Sequence, residues 1–203
     1  MQQTVAEISI VVLPDDLIKN SCLGKDARAG VLSLKIRGNN KGDSNLKKIL
    51  VLSDSHGNIS NMITAVHESE PDMVIHLGDC ESDLFKLEEC FPDMLFENIA
   101  GNCDYEEELL EKIIEVEGRK ILICHGHTYN VKAGYLNLQM ASLEKKVDIT
   151  LFGHTHKVFY DHHNGLAIMN PGSIGAPPYG IPPSYGIIWL DDEGIKLDVR
   201  YIE

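Results

Sequence analysis

From Lys47 onward, short apolar runs alternate with polar, glycine-bearing breaks. Lys48 to Ser53 reads as a buried strand. Asn58 to Ser69 reads as a helix, with Ile59, Met62, Ile63 and Val66 at three- and four-residue steps. Met73 to Leu77 is a second strand, ending in Gly78-Asp79. Ser82 is a good N-cap for a helix through Cys90, which carries apolar Leu84, Phe85 and Leu87. Leu95 to Ala100 is a third strand and ends in Gly101-Asn102-Cys103-Asp104.

The second half is richer in strands. Glu108 to Val116 and Arg119 to Cys124 read as a hairpin around Glu117-Gly118, and Gly134 to Lys145 as a helix. Ile149 to Phe152 is a short strand ending in Gly153-His154-Thr155-His156. Val158 to His162 and Leu166 to Asn170 flank Asn164-Gly165, a strong hairpin signal. A Gly/Pro loop, Pro171 to Pro183, leads to a last hairpin, Tyr185 to Leu190 with Ile195 to Tyr201. Two packed mixed sheets with helices outside accommodate this order, in the α/β class.

Residues 1–45 read as an N-terminal extension with accessory strands at Ile8 to Leu13 and Val31 to Ile36, joined by a Gly- and Asn-rich linker to a domain at 46–203. No signal peptide or membrane-spanning run is visible, so a cytoplasmic location with no membrane partner is expected. The formal net charge is −13. That argues against coating a nucleic-acid polymer, which requires a basic surface. It allows a small anionic substrate where bound cations invert the local charge. The cysteines Cys22, Cys80, Cys90, Cys103 and Cys124 are odd in number and form no disulfide framework. A homo-oligomer is left open.

The polar residues at strand ends carry the chemistry. Asp54-Ser55-His56, Gly78-Asp79, Gly101-Asn102, His125-Gly126-His127 and Gly153-His154-Thr155-His156 each follow an apolar run. Ligand sites in α/β folds gather at the carboxyl ends of strands. In an extended chain, Asp54 and His56 would point to the same side. Oxygen and imidazole donors suit Mn, Fe, Zn or Ni without a thiolate. The donors outnumber what one tetrahedral ion takes and suffice for two ions sharing a carboxylate.

Together these motifs resemble the signature of the calcineurin-like metallophosphoesterase superfamily, from Lys47 to about Tyr201. Gly101-Asn102-Cys103-Asp104, Cys124-His125-Gly126-His127 and Asn170-Pro171-Gly172-Ser173 resemble its small bacterial and archaeal phosphodiesterases of the YfcE type. The resemblance implies a four-layer αββα sandwich. It implies a first metal on Asp54, His56 and His156, a second on Asn102, His125 and His154, and Asp79 bridging both. It implies a phosphodiesterase that attacks a small phosphate ester with a metal-bridging hydroxide, using two divalent ions, Mn²⁺ foremost, with Ni²⁺, Fe²⁺ or Zn²⁺ as alternatives. Asn102 would also steady the phosphoryl charge, and His127 would face the pocket and hold phosphate.

Many superfamily members have a histidine directly after the Gly-Asn pair. Here that position is Cys103, which leaves Cys103, His127 or water as the leaving-group acid. Asp104 to Glu108 reads as a solvated edge. His76 reads as a packed histidine, and His67, His162 and His163 as surface residues. The loop from Ala176 to Pro183, with Tyr179 and Tyr185, either lines a pocket or is plain surface. Two other functions compete: a phosphomonoesterase or protein phosphatase on the same site, and a scaffold like the retromer subunit of this fold.

Overall fold

A computed structural model describes residues 35–36, 47–104, 109–192 and 194–203. Among the described residues, eleven strands and three α-helices form two sheets with helices on their outer faces. One sheet joins β2 (Lys47–Leu52), β3 (Met73–His76) and β4 (Leu95–Asn98) in parallel, and β10 (Ser184–Leu190) with β11 (Ile195–Tyr201) extends it antiparallel. The other runs β1-β5-β6-β7-β9-β8. It comprises β1 (Lys35–Ile36), β5 (Glu111–Val116), β6 (Arg119–Cys124), β7 (Ile149–Leu151), β9 (Leu166–Pro171) and β8 (Val158–His163). Of the expected N-terminal strands, Ile8 to Leu13 lies outside the described residues. Lys35 and Ile36 pair in parallel with Glu115 and Val116.

Period-two side-chain alternation explains why the strands read as continuous apolar runs. Ile49, Val51, Met73 and Ile75 face inward and meet Ile121, Ile123, Ile149 and Leu151 of the other sheet. Leu50, Leu52 and Val74 face outward onto Met62, Ala65 and Val66 of α1 (Ile59–Ser69) and Leu84 and Leu87 of α2 (Glu81–Cys90). On the far side, Leu122 and Cys124 pack with Leu138 of α3 (Leu136–Lys145). These are the four layers expected from the sequence.

Local chemistry sets the element ends. Asn58 caps α1, its side chain accepting from Asn61 N–H at 3.2 Å. The hairpin turns Glu117-Gly118 and Asn164-Gly165 take the left-handed conformation at both positions, as a tight two-residue turn demands. The expected cap at Ser82 is a correction. The helix begins at Glu81, its cap position is Cys80, and no side chain within the helix caps it. Its first amides go instead to Asp104, from another loop. Among the described residues, no helix is long and apolar enough to cross a membrane.

Candidate metal centre

The carboxyl ends of β2, β3 and β4 meet those of β6 and β7 across the sandwich. Five loops there carry Asp54 and His56, Asp79, Asn102, His125, and His154 with His156. Ligand atoms of Asp54, His56, Asp79 and His156 all lie within 4.8 Å of one another. The His125 ring sits beside them, its Nε2 3.5 Å from Asp79 Oδ1 and 3.9 Å from Asp54 Oδ1. His154 stacks edge-on to His125 at 5.0 Å between ring centroids, and His127 lies 5.4 Å from His125.

The local backbone differs from the expectation. Asp54 and His56 do not converge by strand alternation: both have positive φ, 54° and 44°. Asp79, His154 and His156 share that left-handed conformation. Non-glycine residues seldom adopt it, and it clusters where surrounding contacts hold a site in shape. Two glycines allow the loops to close. A Cβ at Gly101 would strike Asp79 Oδ1 and its backbone nitrogen, and one at Gly153 would strike Ser53 Oγ and come 2.9 Å from Asp54 Oδ2.

The donor set fits divalent cations. His125 Nδ1 lies 2.7 Å from Leu77 O and His156 Nδ1 lies 2.6 Å from Ala176 O. A carbonyl only accepts, so each Nδ1 carries the proton and each neutral ring turns a bare Nε2 lone pair inward. Those lone pairs face carboxylate oxygens; His156 Nε2 is 3.1 Å from Asp54 Oδ1. Two acceptors in contact repel unless a metal ion or a proton lies between them. Two donors each about 2.1 Å from one ion sit about 3.0–3.4 Å apart at ordinary coordination angles. Asp54 Oδ1 and His125 Nε2 are buried and make no hydrogen bond.

Titration reflects the same demand. A proton on His156 Nε2 would hydrogen-bond the Asp54 carboxylate it faces, which leads the causes that raise the His156 pKa, against burial. Burial opposes a proton on His125, but Asp79 and Asp54 outweigh it and raise its pKa. Burial also works against an ionised Asp79, yet His125 and the Cys103 N–H hold it well below the carboxylate range. Burial and the charge of His125 press His154 down to about 4 and lower His127 too.

The remaining residues sort unevenly. Asn102 is exposed, and its Nδ2 donates to Cys103 Sγ at 3.3 Å, so the amide is turned to its neighbour. Cys103 donates its N–H to Asp79 Oδ1 at 2.9 Å, and burial and the Asp79 charge push its thiol up. Tyr185 is no pocket residue: it is buried in β10 with its hydroxyl on Glu68. Tyr179 is fully exposed. His67, His162 and His163 are exposed as expected, and His76 is fully buried. Asp104 is no solvated edge but accepts four backbone N–H bonds, while 105–108 lie outside the described residues.

Sequence reasoning missed several supports. Buried Asp83 accepts from Gly57 N–H at 2.6 Å and Ser55 Oγ–H at 2.9 Å, so it fixes the two neighbours of His56. Ser53 Oγ donates to Asp54 Oδ2 at 2.6 Å. Ser173 Oγ donates to Asp54 O at 2.8 Å, and Asn170 Nδ2 to Gly153 O at 2.7 Å. The one available signal for Asp83 was its place four residues before Leu87, on the buried face of the helix.

The profile of the calcineurin-like phosphoesterase superfamily domain matches residues 48–193. The chain belongs to this superfamily. A probable metallophosphoesterase of Bacillus subtilis, YsnB, is 34% identical over 153 residues, covering 73% of this chain and 88% of that protein. The phosphodiesterase MJ0936 of Methanocaldococcus jannaschii is 31% identical over 175 residues, covering 76% and 98%. A crystal structure of a predicted phosphoesterase from Streptococcus pneumoniae superposes with a TM-score of 0.66 at 26% identity, over 78% of this chain and 91% of that one. Vacuolar protein sorting 29 of Cryptosporidium parvum, at 17% identity and TM-score 0.62 over 79% of this chain and all of that one, shares the superfamily fold.

Proposed function

We propose that the chain is a two-metal phosphodiesterase acting on a small phosphate diester. One observation carries the reading: Asp54, His56, Asp79 and His156 converge within 4.8 Å, with His125 alongside. Bare imidazole lone pairs there oppose carboxylate oxygens. Asp54, His56 and His156 would hold the first ion. His125, His154 and Asn102 would hold the second, Asn102 once its amide turns from Cys103, and Asp79 would bridge both. Such ions, Mn²⁺ foremost and Ni²⁺, Fe²⁺ or Zn²⁺ as alternatives, lower the pKa of coordinated water and offset phosphoryl charge.

The chain's own groups do the rest. The carbonyls of Leu77 and Ala176 keep His125 and His156 in the tautomer that presents Nε2. Asp79 stays ionised across the working pH range, because its conjugate acid is so disfavoured. The His127 ring borders His125 and His154, at 5.4 and 6.0 Å between centroids, which supports a part in holding the phosphoryl group beside them.

The net charge of −13 supports a small substrate over a nucleic-acid polymer. The diester, rather than a monoester, rests on the likeness to proteins such as MJ0936. The fold shared with vacuolar protein sorting 29 keeps a scaffold role as the competing reading. The filled donor set speaks for catalysis. Chelator-stripped protein is expected to lose hydrolysis of bis(p-nitrophenyl) phosphate and regain it with Mn²⁺. Metal-loaded protein that hydrolyses neither this diester nor p-nitrophenyl phosphate would establish the scaffold reading instead.

A further inference from the structure

Asp104 follows the cysteine that stands where many relatives carry a histidine, so it has no neighbouring imidazole to orient. Its carboxylate is nevertheless fully engaged. Oδ1 accepts from Cys80 N–H at 2.8 Å and Glu81 N–H at 2.9 Å, and Oδ2 accepts from Asp79 N–H and Gly101 N–H, both at 2.8 Å. A carboxylate offers about four lone-pair positions, and here four amides take them. None is left to take a proton from substrate.

These bonds tie together two loops about 25 residues apart. One loop is strained: Asp79 and Cys80 are consecutive non-glycine residues at φ 62° and 91°. Three of the four charge-assisted bonds, from the amides of Asp79, Cys80 and Glu81, hold that turn where an unaided chain would relax, and the fourth closes the Gly101 loop around Asp104. The same segment also holds the far end of Asp79. Cys103 N–H donates to Asp79 Oδ1, so the bridging candidate is gripped at its backbone by Asp104 and at its carboxylate by the residue beside it. The outcome is visible in the site, where Asp79 Oδ1 faces His125 Nε2 at 3.5 Å and Oδ2 faces His56 Nε2 at 3.7 Å.

We infer that Asp104 is a positioning residue for the metal pair: it locks the Asp79 turn to the Gly101-Asn102 loop so that one carboxylate spans both ions. This rests on the two-metal reading above. Asp104→Asn keeps the size and removes one acceptor oxygen, placing an amide donor against two N–H groups. Leu87→Ala, in the core between α2 and its sheet, weakens the fold without touching the loops and serves as the control. Manganese titration calorimetry, with spin coupling between paired Mn²⁺ ions read by electron paramagnetic resonance, compares the variants at matched folded fraction.

Asp104→Asn is expected to weaken manganese binding about 10–100-fold and lose the coupled signal, as for other residues that orient ligands. Leu87→Ala is expected to keep both. Should the amide variant not fold, Asp104→Glu keeps the charge, shifts the clamp by one methylene and is expected to show the same loss. Coupling and affinity unchanged in the folded Asp104 variant would overturn the positioning role. Wild-type protein that binds no coupled pair would instead overturn the two-metal reading, and this inference with it.

Discussion

Asp54, His56, Asp79 and His156 come from three separate stretches, yet their motif letters were enough to single them out. The geometry that joins them was not written in the same way. Strand alternation suggested that Asp54 and His56 share a side, whereas both turn inward through left-handed backbone. Their supports were still less legible, because Asp83 and Asp104 reach amides 23 to 26 residues distant. No local pattern marks such a pair, and an acidic side chain near glycine reads as solvated by default. His127 is the residue whose task is most open to a direct kinetic test. A hydrogen bond to a charged group is worth about 1.5–3 kcal/mol, or roughly tenfold and upward in affinity. Replacing His127 by Ala is therefore expected to raise KM for the diester about tenfold or more, with a smaller change in kcat. Steady-state kinetics on metal-loaded protein would show this, and an unchanged KM would remove His127 from substrate binding.

Strands and hairpins were the most legible elements, since period-two burial and the Glu117-Gly118 and Asn164-Gly165 turns are local signals. The start of α2 was misplaced by two residues, because its first amides are satisfied from another loop rather than by Ser82. The same logic governs the loop after β7. Gly153 lies against Ser53 and Asp54, where a methyl group has no room. Overpacking of this kind costs about 1–3 kcal/mol. Gly153→Ala is expected to lower the melting temperature and to weaken manganese binding by displacing Asp54. A variant that binds manganese as wild type does would show that the loop has slack the structure does not suggest.

The fold packs two sheets face to face, and the buried histidines at the carboxyl end of their strands tie stability to pH. His76 is fully buried, accepts from Gly78 N–H on Nδ1, and has its pKa lowered to about 4, chiefly by burial and against the charge of Asp54. In the unfolded chain it takes a proton near pH 6.5. As pH falls from about 6.5 to about 4, the unfolded state binds the proton first, so stability falls through that window and levels off below it. The loss amounts to about 3 kcal/mol for this one group. His76→Asn retains an acceptor for Gly78 without titrating. Urea unfolding at pH 7 and pH 4.5 is expected to show a smaller acid loss in the variant, whereas equal losses would assign the acid sensitivity to other groups.

The same end of the sandwich carries the account's central claim, that Asp79 joins two ions in one catalytic centre. Its most direct test is the diester hydrolysis rate followed against added Mn²⁺ in chelator-stripped protein, for wild type and for Asp79→Ala. The expected result is activity that climbs until two equivalents are bound per wild-type chain, and almost none in the variant at any metal concentration. Full activity at one equivalent, or a variant as active as wild type, would contradict it.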